Sequence, residues 1–286
     1  MRLTVAAAVA LALAGCASFS PDGGFDKVGE LTKERNGQPT LVRAEADNNI
    51  VSSRVAELLK EPLSADGAVE LAYLNNRGLQ ASFSELGIAE ADLVQAGRLR
   101  NPSLSFGRLS GGGMVEIDRS VLFDVLGLLT MPATKAVMQR RFEEAQYSAA
   151  FEAVGLATDV RRAYYNAVAA QELVKYYQQV MDAADASSEL AKRMFAAGNF
   201  NKLAQMREQA FHADASAQLA RARHRALAER ERLIRLLGLA GEQLAFRLPE
   251  RMPDLPTEPV EPKDAEQTAM DKRLDLLMAK RNAEAT

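Results

Sequence analysis

The chain of 286 residues has a single cysteine, Cys16, so no intrachain disulfide can form. Histidine occurs only at His212 and His224, with no cysteine nearby and no second ligand at metal spacing, so both read as helix surface or seam residues. Tryptophan is absent. Neither sign of charge is in excess: 35 Lys plus Arg stand against 38 Asp plus Glu, a net charge of -3, which leaves no electrostatic footprint for nucleic acid. No catalytic constellation stands out. Glu143 and Glu144 beside Arg140 and Arg141 read as a solvated helix face, and the 10 methionines, scattered mostly at helical spacing, read as packing residues. The chain is therefore expected to be no enzyme and to need no cofactor or metal.

The first residues give an address. Arg2 is a short positive n-region and Leu3 to Ala14 an apolar run of about 12 residues, too short to span a bilayer, with small residues following. Residues 1–15 thus read as a secretory signal. Leu13-Ala14-Gly15-Cys16 resembles the bacterial lipobox, which implies cleavage before Cys16 and lipid attachment to it. Ala17 is not the aspartate that commonly retains lipoproteins in the inner membrane, so the expected location is the outer membrane, anchored by lipid and extending into the periplasm. Residues 16–63 form a polar arm broken by Pro21, Gly23, Gly24, Gly37 and Pro39, with one short helix expected over Ile50 to Lys60.

The dominant pattern runs from Pro132 to Gly198. Phe142, Ala149, Leu156, Ala163, Ala170, Tyr177, Ala184 and Ala191 recur every seven residues, with Ala153, Val160, Ala167, Val174, Met181 and Phe195 beside them. This is a coiled-coil seam interrupted by Gln146 and Ser188. The spacing predicts a helix over 132–197, roughly 64 residues and ~95 Å long. Gly198 suits a left-handed cap and Asn201 an N-cap, so a return helix over 202–238 closes an antiparallel helical hairpin. Its expected apolar rows are Met206, Ala213, Ala220, Leu227 and Ile234, with Leu203, Ala210 and Ala217. Upstream, Ser64 or Asp66 can cap a helix of ~33 residues ending near Arg100, before Asn101-Pro102. Added together, the two flanking helices nearly match the long one, so the first is expected to cover one half and the return helix the other.

Between them, over 102–123, the period changes to two. Ser103 to Leu109 and Met114 to Leu122 alternate around Ser110-Gly111-Gly112-Gly113, with Val115, Ile117 and Val121 opposed to Glu116, Asp118 and Ser120. A strand of about 9 residues is the length of a tilted membrane-spanning β-strand. If one face meets lipid, Glu116 and Asp118 face a water-filled lumen, since a carboxylate in hydrocarbon costs ~2–4 kcal/mol. Residues 241–264 read as a proline-rich connector, and 265–286 resume a helical pattern. A pump adaptor would need β-rich segments on both sides of the helical hairpin, and a purely structural coiled-coil periplasmic lipoprotein would have no use for an amphipathic β-hairpin. Without channel activity, those are the alternative readings.

Signal, lipidated cysteine, helix, β-hairpin, very long helix, glycine tip and return helix, in that order, resemble the TolC-like outer-membrane efflux protein family. Local features agree: Ala68-Val69-Glu70-Leu71-Ala72 with Asn75-Asn76, Asn101-Pro102-Ser103-Leu104, and Leu233-Ile234-Arg235-Leu236-Leu237-Gly238. The resemblance implies a mainly α fold, a long antiparallel coiled-coil helical hairpin whose short membrane β-hairpin contributes to a trimeric β-barrel. It implies a homotrimer embedded in outer-membrane lipid, working with a periplasmic membrane-fusion adaptor and an inner-membrane pump. The function implied is passive export of small molecules or metal ions. Adaptor contact is carried onto Arg193, Gly198, Asn201 and Leu203, although Ala204 replaces the family's frequent aspartate and Asn201 a serine-like position. Residues 64–240 match the first repeat and 265–286 the opening of a second, so a truncated form that does not conduct alone is expected.

Overall fold

The computed structural model describes residues 19–37, 41, 48–112, 114–255, 257 and 264–285. The signal, Cys16, Ala17, Pro39, Gly113 and the connector's Pro256, Pro259 and Pro262 lie outside them. The described elements are α1 (Phe25–Asn36), α2 (Asn48–Leu58), α3 (Ala65–Asn75), α4 (Arg77–Ala96), β1 (Ser103–Gly111), β2 (Met114–Leu122), α5 (Val125–Ala196), α6 (Lys202–Leu237), α7 (Ala265–Lys272) and α8 (Leu274–Ala285). They fall into two compact units.

One unit holds the described residues within Met1–Glu34, Ala81–Glu152 and Lys263–Thr286. Its core joins Val28 and Leu31 of α1, Phe83, Leu86 and Val94 of α4, and Phe142 and Ala149 of α5. Phe25 meets Phe83 edge to face at 4.9 Å. The arm is thus not simply irregular: α1 packs, because its apolar residues find the α4 and α5 faces. Gln146, an interruption of the seam, donates to the Gly24 carbonyl at 3.2 Å. A Cβ on Gly24, whose φ is +75°, would lie 2.4 Å from the Phe142 ring. The Glu90 carboxylate, 5% exposed, accepts from the Ser20 N–H at 2.6 Å and the Ser20 hydroxyl at 2.5 Å. The charged face of α5 lies at the surface as expected, with Arg140 and Arg141 exposed, and it also carries contacts to α8. Arg281 pairs with Glu143 at 3.2 Å, Asn282 donates to Glu144 at 3.0 Å, and Arg140 donates to the Glu284 carbonyl, which docks α8.

The other unit comprises Arg35–Gln80 and Ala153–Pro262. Ser64 caps α3 by accepting from Gly67 N–H at 3.0 Å. Tyr73 donates to the Ala153 carbonyl at 2.9 Å, and Tyr164 to the Leu63 carbonyl at 2.9 Å. The α6 helix ends at Gly238 in the left-handed conformation, φ +67°. After it, Arg230 stacks on Phe246 at 4.0 Å and donates to that residue's carbonyl at 2.6 Å. The expected division of α5 between the first helix and the return helix holds only from Ala81 onward: α4 from Ala81 shares a unit with the first part of α5, whereas α3 and the start of α4 fall with α6 and the remainder of α5.

Several expectations are corrected. The helix expected from Ser64 to Arg100 is two, α3 and α4, parted at Asn76, which is extended (φ -70°, ψ 113°). Asn76 accepts from the Leu79 N–H at 3.0 Å and donates to the Leu236 carbonyl at 2.9 Å, starting one helix while satisfying the end of another. The long helix starts at Val125 and not at Pro132, which sits inside it. Asp124 accepts from the Gly127 N–H at 2.7 Å and so caps it earlier, while Pro132 withholds only the donor for the Leu128 carbonyl. The pattern over 265–285 is broken at Arg273. The buried stripe of α6 is Ala215, Leu219, Ala222, Leu233, Ile234 and Leu237; of the expected row only Ile234 belongs to it, while Leu203, Met206 and Leu227 are exposed. On α5 most of the seam holds, with Phe142, Ala149, Ala153, Val160, Ala163, Ala167, Ala170, Ala184 and Ala191 buried and even Ser188 only 5% exposed, whereas Leu156, Val174, Tyr177 and Met181 are half-buried and Phe195 is exposed.

Candidate functional site

The β-hairpin pairs antiparallel in the register Leu104↔Val121, Phe106↔Arg119, Arg108↔Ile117 and Ser110↔Val115, alternating with Ser105↔Ser120, Gly107↔Asp118 and Leu109↔Glu116. Opposite residues share a face, so Leu104, Phe106, Val115, Ile117 and Val121 gather on one side. Glu116, Asp118 and the two serines gather on the other, where the Ser105 and Ser120 hydroxyls are 2.7 Å apart. The expected division into an apolar and a polar face is corrected in both directions: Leu109, Met114 and Leu122 lie on the face of Glu116 and Asp118, and Arg108 and Arg119 lie on the apolar face. Arg119 is accommodated over the Phe106 ring, 6.0 Å from its centroid. The large apolar residues of the hairpin are all exposed, and among the described residues the sheet has no third strand. Such a hairpin is marginal by itself, with backbone donors and acceptors open along both edges.

At the helical tip, Gly198 has φ +78°, and Asn199 N–H returns to the Met194 carbonyl at 2.9 Å, closing α5 in a Schellman-type turn. Asn201 caps α6, accepting from Ala204 N–H at 2.8 Å. Arg193 pairs with Glu189 at 2.9 Å on its own helix, and Lys202 lies 5.5 Å from the Phe195 ring centroid. Leu203 is 59% exposed. Arg193, Gly198, Asn201 and Leu203 are thus brought to one turn, and Glu116 and Asp118 to one face of β2; Cys16 lies outside the described residues. Behind the tip, His212 meets Asp185 at 2.7 Å and Ser187 donates to Glu208 at 2.5 Å, joining α5 to α6. His212 is therefore an inter-helix hydrogen-bonding partner. Among the described residues no group of three or more His, Cys, Asp or Glu could hold a metal ion, and no helix is long and apolar enough to cross a membrane. Sequence reasoning missed the role of Asn76, and Glu90 altogether, because Leu236 and Ser20, their partners, are far away in the chain.

No protein-family model matches the sequence, and no curated protein matches it. Solved structures do. The outer-membrane channel OprN superposes with a TM-score of 0.61 at 19% identity, over 94% of this chain and 60% of that one. The Campylobacter jejuni CmeC outer membrane channel gives 0.53 at 15% identity, over 91% and 56%. The outer membrane protein VceC from Vibrio cholerae gives 0.56 at 16% identity, over 77% and 56%. This chain has the TolC-like outer-membrane channel fold. It is mainly α, with a long antiparallel helical hairpin and a two-stranded antiparallel sheet, and it spans 56–60% of the length of these three structures.

Proposed function

We propose that this protein is a subunit of the outer-membrane exit duct of a tripartite efflux pump, passively exporting small molecules or metal ions from the periplasm. The observation that carries the reading is β1–β2: an exposed apolar face and two open edges, held between helices of a channel fold. Water would not tolerate that surface, whereas a closed membrane barrel satisfies both the edges and the apolar face. In this reading the chain works as a homotrimer, Cys16 carries the lipid, and Glu116 and Asp118 line the lumen. The turn presenting Arg193, Gly198, Asn201 and Leu203 meets a periplasmic adaptor that links it to the inner-membrane pump.

The test is Arg193→Glu, introduced into the gene in its own cells. The Arg193–Glu189 pair is exposed and adds little to stability, so the variant is expected to fold and insert normally. Export should fall to the level of a strain lacking the gene. Wild-type export by the inserted variant would remove the tip assignment. Recovery of a folded form lacking residues 1–16, and with them the lipid, in the aqueous fraction without detergent would favour a coiled-coil lipoprotein without channel activity.

A further inference from the structure

We infer that the outer flank of α6 is a docking surface for an acidic amphipathic helix of a different protein. The surface is separate from the tip turn and does not depend on the duct reading. The apolar row marked on α6 by the sequence, Leu203, Met206, Ala210, Ala213, Ala220 and Leu227 with Ala217 among them, has the three- and four-residue spacing of a coiled-coil seam. It runs for about 36 Å, and the fold does not use it. Leu203, Met206 and Leu227 are each more than half exposed, because α6 turns the stripe through Ala215, Leu219 and Ala222 inward instead. The alanines of the outer row would let a second helix come close.

A column beside this row carries Arg221, Arg225, Arg232 and Arg235, whose spacing keeps them on one side of the helix over about 21 Å. All four are exposed, and among the described residues none of their guanidinium groups has a hydrogen bond or an ion pair, Glu229 and Glu231 of the same stretch included. Their neighbours are used within the fold: Arg223 donates to Gln178 at 2.7 Å and Arg230 to the Phe246 carbonyl at 2.6 Å. Like charges three and four residues apart disfavour the helix that bears them, so the column does not serve the stability of α6. Arg221 stands about 30 Å along α6 from the Asn201 cap, well clear of the tip.

The charges identify the occupant. A second copy of this chain offers no free acidic row on the α5 segment beside α6, because each carboxylate there is engaged. Asp159 pairs with Arg162 at 3.5 Å, Asp185 with His212 at 2.7 Å and Glu189 with Arg193 at 2.9 Å. Glu172 accepts from the Met252 N–H at 3.2 Å and Asp182 from Gln178 at 3.0 Å. A dissolved polyanion would answer the arginines but leave the apolar row in water. A helix with its own apolar heptad row and Asp or Glu along one border answers both, each guanidinium taking a carboxylate in its planar fork.

The test uses the full-length protein in detergent and the fluorescence anisotropy of three labelled synthetic helices. One has a leucine and alanine heptad row bordered by glutamate, one the same row bordered by lysine, and one the glutamates with the row scrambled. The first should bind about tenfold tighter than either of the others. Arg221→Gln, Arg225→Gln, Arg232→Gln and Arg235→Gln together should bring the glutamate and lysine helices level, with the helical circular dichroism unchanged. Ala213→Gln with Ala220→Gln should remove the advantage over the scrambled helix. Equal binding of the glutamate and lysine helices to the parent protein overturns the surface, and so does binding of none of the three. Equally tight binding of the scrambled helix also overturns it, since the arginines would then hold any dissolved polyanion. Hydroxyl-radical labelling of the protein alone covers the remaining occupant: Met206 and Leu227 protected before any helix is added would mean that a second copy covers the row, and the proposal falls.

Discussion

Tyr73 ties three segments of one unit together, donating to the Ala153 carbonyl at 2.9 Å and accepting from the Asn36 amide at 3.1 Å. Burial raises its phenol above the ordinary 10.0, with the Asn36 hydrogen bond pulling the other way. The folded protein keeps this proton where the unfolded chain has lost it, so the contribution is whole below pH 10.0 and is lost as pH climbs through the folded value. Tyr73→Phe is expected to cost about 1–2 kcal/mol in urea unfolding near pH 7, removing the hydrogen bonds to the Ala153 carbonyl and to the half-buried Asn36 amide. It should also flatten the loss of stability toward about pH 11, although part of that slope will remain because burial raises Tyr164 too. Gly238 and Gly198 form a second contrast. Both have positive φ, but a Cβ at Gly238 would lie 2.5 Å from the Asn75 carbonyl oxygen, whereas nothing lies within 4 Å of one at Gly198. Gly198→Ala should cost about 1 kcal/mol from backbone strain, and Gly238→Ala clearly more, read as the larger drop in melting temperature.

Helices here are placed by their ends. Asn76 serves three helix termini: its backbone N–H donates to the Ala72 carbonyl at the end of α3, and its side chain accepts at the start of α4 and donates to the Leu236 carbonyl at the end of α6. Asn76→Ala is expected to destabilise by about 1–3 kcal/mol, combining a lost cap with an unanswered carbonyl. Amide exchange should quicken at Leu79 before α4 as a whole, and unchanged protection there would dismiss Asn76 as the origin of the break. In α5, Asp124 and Pro132 divide the work differently: the aspartate starts the helix, and the proline lies beyond an apolar stretch whose hydroxyls are already satisfied.

For the whole molecule, the proposed lipid anchor on Cys16 would join the folded protein through the arm. Ser20, held by the buried Glu90, stands four residues after Cys16, so a lipid on Cys16 would lie within about 14 Å of that contact along the chain. Cys16→Ser is expected to leave a precursor that retains residues 1–15 and is not lipidated, measured as the intact mass of the membrane-extracted protein. A wild-type protein with an unmodified amino terminus at another residue would contradict the lipobox reading.

The seam of α5, the alternation of the hairpin and the Gly198–Asn201 turn were legible in the sequence because each is a local, periodic or stereochemical signal. A run of apolar residues every seven positions admits one secondary structure at this length, and a left-handed turn followed by a capping asparagine admits one connection. The tip residues and the placement of Glu116 and Asp118 on one strand face follow from the same local rules. The rest needed the tertiary structure. Both candidate stripes of α6 are rich in alanine, so periodicity could not choose between the row through Met206 and the row through Leu219; packing chose the latter. That Arg108 and Arg119 share a face with apolar neighbours follows from alternation within each strand, whereas the pairing of Leu109 with Glu116 and of Arg119 with Phe106 depends on strand register, which pairing decides. The break at Asn76 is anchored by a carbonyl 160 residues further along the chain, and a distance of that kind leaves no mark in the local pattern.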